Sequence, residues 1–190
     1  MKHILPILTL TALAAAASAD AEPKVAAPAG LSYNRVGFTR QSQNNSLSAS
    51  ALLGSSNVLA SVSTGEAYGP YSSTTFSLGY VFKNVAYATD ATVSVSSGNE
   101  YVNSAVSVNL RRALNEVYAG LEVAVGYSFV NNENQGNQNW FGNSDPQGTT
   151  GVVTAELAYN VNKTWQVAVG LTNWNPTWDR TTSLSVRHNF

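Results

Sequence analysis

The chain has 190 residues, a net charge of −1 and no cysteine. Near-neutral charge argues against a nucleic-acid partner, whose phosphates are neutralised by Lys and Arg, and the lack of cysteine excludes disulfides and thiolate chemistry. Charged residues are only 11% of the chain while hydrophobic residues are 44%, which excludes a disordered chain. No run of about 18 apolar residues follows the N-terminus, so a helical membrane protein is excluded as well.

Residues 1–19 have the pattern of a secretory signal peptide. Lys2 provides a positive start, an apolar run covers residues 4–17, and Ala17-Ser18-Ala19 is a small-x-small cleavage pattern. A retained membrane anchor is the alternative, although the apolar run is short for one. We expect export by the Sec route. Residues 20–30 are rich in Ala and Pro and are predicted to form a flexible periplasmic tail.

Residues 31–190 alternate between apolar and polar side chains with a period of two, which is typical of strands. A change of phase near Arg35 predicts a bulge. Ten strands are expected, with eight as the alternative because the first three are faint. The ten predicted strands cover residues 31–39, 47–53, 58–62, 76–82, 85–96, 106–111, 117–129, 153–161, 165–171 and 183–190.

The connections between these strands alternate in length after the first few. The short ones are residues 54–57, 83–84, 112–116 and 162–163, and the others are 40–46, 66–73, 97–101, 131–150 and 173–180. Short turns at one end and longer loops at the other are typical of transmembrane β-barrels. An even number of strands places both termini on the side of the short turns.

The polar faces carry Ser, Thr, Asn, Gly and Ala with few charges, which favours an enclosed interior over a solvated surface. Glycines predicted to point inward would leave room for bulky neighbours; they are Gly79, Gly120, Gly126 and Gly170. The charged residues of the predicted strand bodies all fall on the polar face; they are Arg35, Asp90, Arg111, Glu122, Glu156 and Arg187. We expect these six to lie in a lumen and to pair, because an unpaired buried charge is costly. The alternative is that they are ordinary exposed charges on a soluble sheet.

Aromatic residues on the apolar face cluster near the strand ends. Those near the short turns are Phe82, Tyr87, Tyr159, Trp165 and Phe190, and those near the long loops are Tyr127 and Phe129. Two such girdles are expected where a barrel meets the two surfaces of a membrane, so outer-membrane lipid is a predicted partner. The alternative is the general enrichment of aromatic residues in strands.

The last strand, residues 183–190, resembles the terminal strand of small bacterial outer-membrane barrels of the OmpA membrane-domain, OmpX and opacity-protein type. Leu184, Val186 and Phe190 match the family pattern of alternating apolar residues ending in an aromatic, whereas His188 departs from it. The resemblance implies an outer membrane of a Gram-negative-type bacterium. It also implies that the terminal strand is recognised by the barrel assembly machinery.

No catalytic, metal or cofactor site is predicted, and the protein is not expected to be an enzyme. His188 is the one histidine after the signal peptide, and its predicted place, facing lipid near the periplasmic rim, does not suit a hydrolase. Glu133, Asp145 and Asp179 could contact Ca²⁺ but follow no motif.

The long loops combine amides with aromatic residues, which suits contact with an extracellular glycan or protein; the aromatic residues are Trp140, Phe141, Trp174 and Trp178. The alternative is that these residues anchor the loops at the membrane surface or cap the barrel. The sequence therefore predicts an all-β, closed, up-and-down transmembrane barrel with a narrow or plugged lumen and a structural or surface-interaction role. A narrow porin for small solutes and a soluble secreted β-sandwich adhesin are the alternatives.

Overall fold

A computed structural model describes residues 31–41, 44–66, 72–98, 104–131, 149–175 and 179–190. The predicted signal peptide and periplasmic tail lie outside these ranges. No helix in the described ranges is long and apolar enough to cross a membrane. The strands are β1 (Arg35–Gln41), β2 (Asn44–Leu52), β3 (Val58–Glu66), β4 (Ser72–Ala86), β5 (Thr89–Gly98), β6 (Ala105–Ala113), β7 (Leu121–Asn131), β8 (Thr149–Asn160), β9 (Trp165–Asn175) and β10 (Asp179–Asn189).

The ten strands form one closed antiparallel barrel. Each strand pairs with its neighbours in sequence, and β10 pairs with β1, where Arg35 lies opposite Asn189. The predicted all-β barrel of ten strands is confirmed, and the alternatives of eight strands and of a soluble sandwich are wrong. We call the end that holds Arg35 and Asn189 the turn end, and the opposite end, where β1 leads into β2, the loop end.

The alternation of the sequence places large apolar side chains on the outside of the barrel, where they have no covering layer. Leu78 is 53% exposed, Val95 is 56% exposed and Leu171 is 57% exposed. Ser77, Ser94 and Gly170, which alternate with them, point inward. An outer surface of this kind, continuous from strand to strand, is typical of a barrel surrounded by lipid.

Few apolar side chains are buried in the described part of the chain. Val81 and Val152 are buried on the inner face, at 0% and 6% exposure. Ala49 and Val62 belong to the outer face by register, yet they are buried and pack with Val36. The barrel therefore has no thick apolar core, and its interior is mainly polar.

Among the residues that the structure describes within strands, four charged residues lie on the outer face, and all four are at strand ends. Each is the last or second-last residue at one end of its strand; they are Arg40, Glu66, Arg112 and Arg180. The sequence pattern predicts them in connections, but the strands extend further and include them. A charge that faces lipid costs more free energy at mid-height than near the membrane surface. The outer face of this barrel follows the same trend, with charges at the strand ends and apolar groups at mid-height.

The turn between β4 and β5 differs from the prediction. The sequence pattern predicts it at Lys83-Asn84, but β4 continues to Ala86 and the register shifts between Phe82 and Ala86. The chain reverses at Tyr87 and Ala88, whose φ values of 47° and 55° are both positive. Val85 and Tyr87 are in phase with the apolar residues of β5, which is why the sequence pattern predicts the turn before them.

Two other predictions, one of a bulge and one of a strand boundary, are corrected. β1 has an unbroken register from Arg35 to Gln41, so the predicted bulge near Arg35 is wrong. β7 begins at Leu121, four residues after the predicted start at Val117. Gly120 therefore belongs to the turn, with a φ of 85°, and is not an inward glycine of a strand.

Replacing an outward residue at mid-height by arginine should destabilise the barrel in lipid vesicles. Val108 is 45% exposed near the middle of β6, and Val108→Arg should lower the free energy of unfolding by about 2–4 kcal/mol. Thr182→Arg, which adds the same side chain to the outer face near the loop end, should cost about 0–1 kcal/mol. Urea titration of folded protein in vesicles measures both values. Equal costs would contradict a lipid-facing mid-height.

Candidate functional site

The interior of the barrel near the turn end is filled with buried polar side chains. Those with less than a tenth of their surface exposed are Thr92, Arg111, Glu122, Asn160, Gln166, Ser185 and Asn189. All of them occupy inward positions of their strands, so the polar phase of the sequence is what brings them together. A buried polar group is costly unless it is hydrogen-bonded, so their partners decide whether the lumen is stable.

Arg111 on β6 forms a buried ion pair with Glu122 on β7. The Nη2 of Arg111 lies 2.9 Å from Oε2 of Glu122, and their side chains are only 8% and 4% exposed. The second carboxylate oxygen of Glu122 accepts a hydrogen bond of 2.7 Å from Nδ2 of Asn160 on β8. Both oxygens of Glu122 therefore have a donor, as a buried carboxylate requires.

Arg187 on β10 forms a two-pronged ion pair with Glu156 on β8, through Nη1 and Nη2. The Nη1 of Arg187 also donates to Oε1 of Gln166 at 3.1 Å, and Nε2 of Gln166 donates to Oδ1 of Asn160 at 3.0 Å. The two ion pairs are therefore joined through two amides. We call this continuous set the lumen network; its members are Arg111, Glu122, Asn160, Gln166, Arg187 and Glu156.

Glycine makes room for the lumen network on β1. A Cβ added to Gly37 would lie 3.1 Å from Cγ of Arg187 and 3.3 Å from Oγ of Ser48. The predicted inward glycines Gly79 and Gly126 also face side chains closely, because an added Cβ would meet Ser94 or Thr154.

Residues 31–34, which we call the N-terminal segment, enter the lumen at the turn end instead of continuing β1 outward. Oη of Tyr33 donates to Oδ2 of Asp90 at 2.7 Å, and the guanidinium of Arg111 lies 5.0 Å from the centre of the Tyr33 ring. Nη1 of Arg111 also donates to the Ser32 carbonyl at 3.0 Å. Oγ of Ser50 donates to the Tyr33 carbonyl at 2.7 Å.

Tyr33 precedes β1 and is 6% exposed. Burial raises the pKa of the Tyr33 hydroxyl, and the hydrogen bond to Asp90 raises it further. The hydroxyl therefore stays protonated and keeps its role as donor. Beside it, a cavity of about 350 Å³ opens at the turn end, with Lys83, Asp90 and Phe190 in its lining.

Of the six charged residues predicted for the lumen, four form ion pairs and two do not. Asp90 instead accepts hydrogen bonds from Tyr33 and from the backbone N–H of Asn84, the latter at 2.8 Å. Arg35 has no salt bridge within the described ranges, and its Nη1 is buried without a hydrogen-bond partner. The expectation that three acids and three bases pair is therefore wrong for Asp90 and Arg35. Asp90 lies opposite Arg111 in register, but Arg111 forms its ion pair with Glu122. Arg35 lies opposite the neutral residues Asn189 and Ser50.

The half of the lumen toward the loop end is lined by hydroxyl groups that pair across neighbouring strands. Oγ atoms of Ser61 and Ser77 are 2.6 Å apart, and those of Ser107 and Ser128 are 2.8 Å apart. Where this half meets the turn-end half, Oγ1 of Thr39 lies 2.9 Å from Oγ of Ser185, which belongs to the buried polar set described above. This half carries hydrogen-bonding groups without the charges of the lumen network.

The aromatic residues predicted for the girdles stand on the outer face near the strand ends, with one exception. Tyr127 and Phe129 contact each other near the loop end, with ring centroids 4.7 Å apart. At the turn end, the ring centroids of Trp165 and His188 are 4.9 Å apart, and those of His188 and Phe190 are 6.3 Å apart. Tyr159 contacts Tyr118 with a centroid distance of 5.8 Å. Phe82 contacts Tyr80 with a centroid distance of 4.9 Å. Tyr87 is the exception, since it lies in a turn and is 86% exposed.

Several predicted contact residues fall outside the part of the chain that the structure describes. These are Trp140, Phe141 and Trp178 for glycan or protein contact, and Glu133 and Asp145 for Ca²⁺. Trp174 lies in β9 and Asp179 begins β10. Over the described ranges, no group of His, Cys, Asp and Glu could hold a metal ion.

Sequence reasoning missed Tyr33, Asn160 and Gln166 as members of the site. The sequence pattern predicts polar, inward positions for Asn160 and Gln166. Their joint role depends on the register that places them opposite each other on β8 and β9. The sequence pattern predicts a strand at Tyr33, and nothing in its local sequence indicates that the chain turns into the lumen there.

Comparisons with known proteins bear on the fold. No protein-family model and no curated protein sequence matches the chain. Among solved structures, the KdgM porin is similar with a TM-score of 0.50 and 14% identity, over 82% of this chain and 99% of that chain. The NanC porin has a TM-score of 0.49 and 10% identity over 82% and 98% of the two chains. Omp33 of Acinetobacter baumannii has a TM-score of 0.44 and 10% identity over 85% and 100%.

The chain has the fold of an outer-membrane β-barrel. At this low identity, the likeness to the KdgM porin supports the fold alone. It does not single out the OmpA membrane-domain, OmpX and opacity-protein type that the terminal strand resembles.

Removing Glu122 from its buried ion pair with Arg111 should destabilise the barrel far more than removing Glu116 from an exposed ion pair. Glu122→Ala leaves Arg111 buried without its carboxylate and should lower the free energy of unfolding by about 3–5 kcal/mol. The control is Glu116→Ala, which breaks the exposed pair between Arg112 and Glu116 and should cause no measurable change. Chemical unfolding in detergent micelles measures both, and equal losses would contradict a buried role for Glu122.

Proposed function

We propose that the protein is an outer-membrane barrel whose lumen is closed in its turn-end half, with a role in membrane structure or surface interaction. The observation that carries this proposal is the continuous hydrogen bonding of the lumen network, whose members Glu122, Asn160 and Gln166 are each less than a tenth exposed. A solute passing through the barrel would have to separate these groups.

The size of the barrel supports a narrow lumen. Eight strands give an interior that side chains just fill, and 16–18 strands leave an aqueous channel, so ten strands are near the filled limit. The N-terminal segment occupies part of the same opening through Tyr33. Charge-assisted hydrogen bonds such as that between Arg187 and Glu156 are about twice as strong as neutral ones, so thermal fluctuations open them rarely.

The outer surface supports residence in a membrane. Its apolar side chains are exposed at mid-height, and its charges are confined to strand ends. We further propose that β10 is the segment that the barrel assembly machinery recognises, since Leu184 and Val186 are exposed on its outer face at 57% and 40%. Contact with a glycan or protein through the long loops stays part of the proposal.

A narrow porin for small solutes is the second candidate. The observation that favours it is the hydroxyl lining of the loop-end half, where Ser61, Ser77, Ser107 and Ser128 could replace part of a solute's hydration. In this case the lumen network would be a constriction that opens instead of a permanent closure.

Single-channel recording in planar lipid bilayers tests the proposal. Wild-type protein should give no large steady conductance. Replacing Glu156 and Arg187 together by serine removes a matched pair of charges, so the variant is not left with an unpaired one and should show ion conductance. The matched control replaces Ser107 and Ser128 by alanine, which removes a hydroxyl pair outside the lumen network and should leave the barrel silent.

Two results would contradict the proposal. Large steady channels from the wild type would favour the porin. A silent Glu156→Ser, Arg187→Ser double variant that is folded by its gel shift on boiling would show that the lumen network is not what closes the barrel.

A further inference from the structure

The N-terminal segment crosses the barrel at the turn end. It is joined to β1, yet its partners Asp90 and Arg111 lie on β5 and β6. β6 is the strand farthest from β1, since five strand pairings separate the two in either direction around the barrel. A chain that leaves one wall of a barrel and binds the opposite wall must cross the opening between them.

Side chains of the barrel wall hold the N-terminal segment in this position. The Tyr33 hydroxyl donates to Oδ2 of Asp90 at 2.7 Å, and the Arg111 guanidinium lies 5.0 Å from the centre of the Tyr33 ring. The other carboxylate oxygen of Asp90 accepts a hydrogen bond from the backbone N–H of Asn84, which orients the carboxylate for Tyr33. Arg111 and Ser50 each donate to a backbone carbonyl of the segment.

The N-terminal segment can leave the opening without disturbing the sheet. β1 begins at Arg35, so residues 31–33 belong to no strand. The cavity of about 350 Å³ beside Tyr33 gives its ring space to move. Hydrogen bonds of this kind contribute little net free energy, because water replaces the partner in the open state. Two states that differ by a few such contacts are both populated, the minor one at about 0.1–10%.

We propose that the N-terminal segment is a strap with a closed and an open state, and that the hydrogen bond from Tyr33 to Asp90 is its latch. In the closed state the segment lies across the turn-end opening and contacts Arg111. In the open state the phenol leaves Asp90, and the turn-end opening widens by the space that Tyr33 occupied. The segment thereby controls access to Asp90 and Arg111 from the turn end.

This inference goes beyond the proposed function, which concerns the lumen network. Release of Tyr33 leaves the ion pair of Arg111 with Glu122 in place, so the segment can open while the barrel remains silent. The position of the segment is measured as a distance, whereas closure by the lumen network is measured as conductance. The two proposals therefore fail independently of each other.

The distance between two spin labels measures the position of the N-terminal segment. The chain has no cysteine, so Leu31→Cys and Lys163→Cys create two unique labelling sites. Leu31 lies on the segment, and Lys163 is exposed in the turn between β8 and β9. Double electron–electron resonance of the full chain in neutral detergent should give a dominant, narrow distance distribution, which represents the closed state.

Variants of Tyr33 should shift this distribution in steps. Tyr33→Phe removes only the hydroxyl and should raise the population of a second, broader distribution by about tenfold, because a hydrogen bond to a charged acceptor is lost. Tyr33→Ala also removes the ring from Arg111 and should make the broad distribution the major one. Tyr118→Phe is the matched control. It removes the hydroxyl of an exposed tyrosine that contacts Tyr159 at the turn end, and should leave the distribution unchanged.

The gel shift on boiling shows that each labelled variant is folded. The proposal is overturned if the wild type already has one broad distribution, or if Tyr33→Ala keeps the narrow distribution of the wild type. It is also overturned if Tyr118→Phe broadens the distribution as much as Tyr33→Phe does. If Tyr33→Ala does not fold, Tyr33→Phe decides alone, and an unchanged distribution overturns the proposal.

Discussion

Closure of the sheet is the constraint on which the rest of the structure depends. When β10 pairs with β1, the barrel has no unpaired strand edge, and every strand satisfies its backbone groups with its neighbours. Closure also determines where the two faces of each alternating strand lie. Side chains of one phase face outward over the whole circumference, and side chains of the other phase face one another across a narrow space. Polar groups that are far apart in sequence, such as Arg111 and the Ser32 carbonyl, meet for this reason.

The amides of Asn160 and Gln166 provide hydrogen bonds that the two buried ion pairs need. An isolated buried ion pair leaves lone pairs and N–H groups unsatisfied, and such a pair often fails to repay its desolvation cost. Here the second oxygen of Glu122 and a further N–H of Arg187 are each satisfied by an amide, and the two amides bond to each other. The neutral residues therefore determine whether the charged residues can share a space of low dielectric.

Much of the fold could be predicted from sequence, because the alternation within one strand shows which of its residues face inward. It does not show which residues of other strands they meet. The strands β6, β9 and β10 alternate regularly, and their inward and outward faces match the prediction. The β4–β5 turn lies later than predicted because Val85 and Tyr87, which precede or form it, are in phase with the apolar residues of β5. The phase of a strand places Arg35, Arg187 and Glu156 inside, but only the register between strands decides that Glu156 meets Arg187 and that Arg35 meets Asn189. The entry of Tyr33 into the lumen is a tertiary event without a local signal.

The pairing of β1 with β10 has a consequence for how the molecule is made. All other pairings join strands that are consecutive in sequence and can form as hairpins, whereas Arg35 and Asn189 must meet across almost the whole chain. This seam is therefore expected to close last, after the final strand has been synthesised. Until then, the intermediate carries two free strand edges, at which it is prone to pair with other chains.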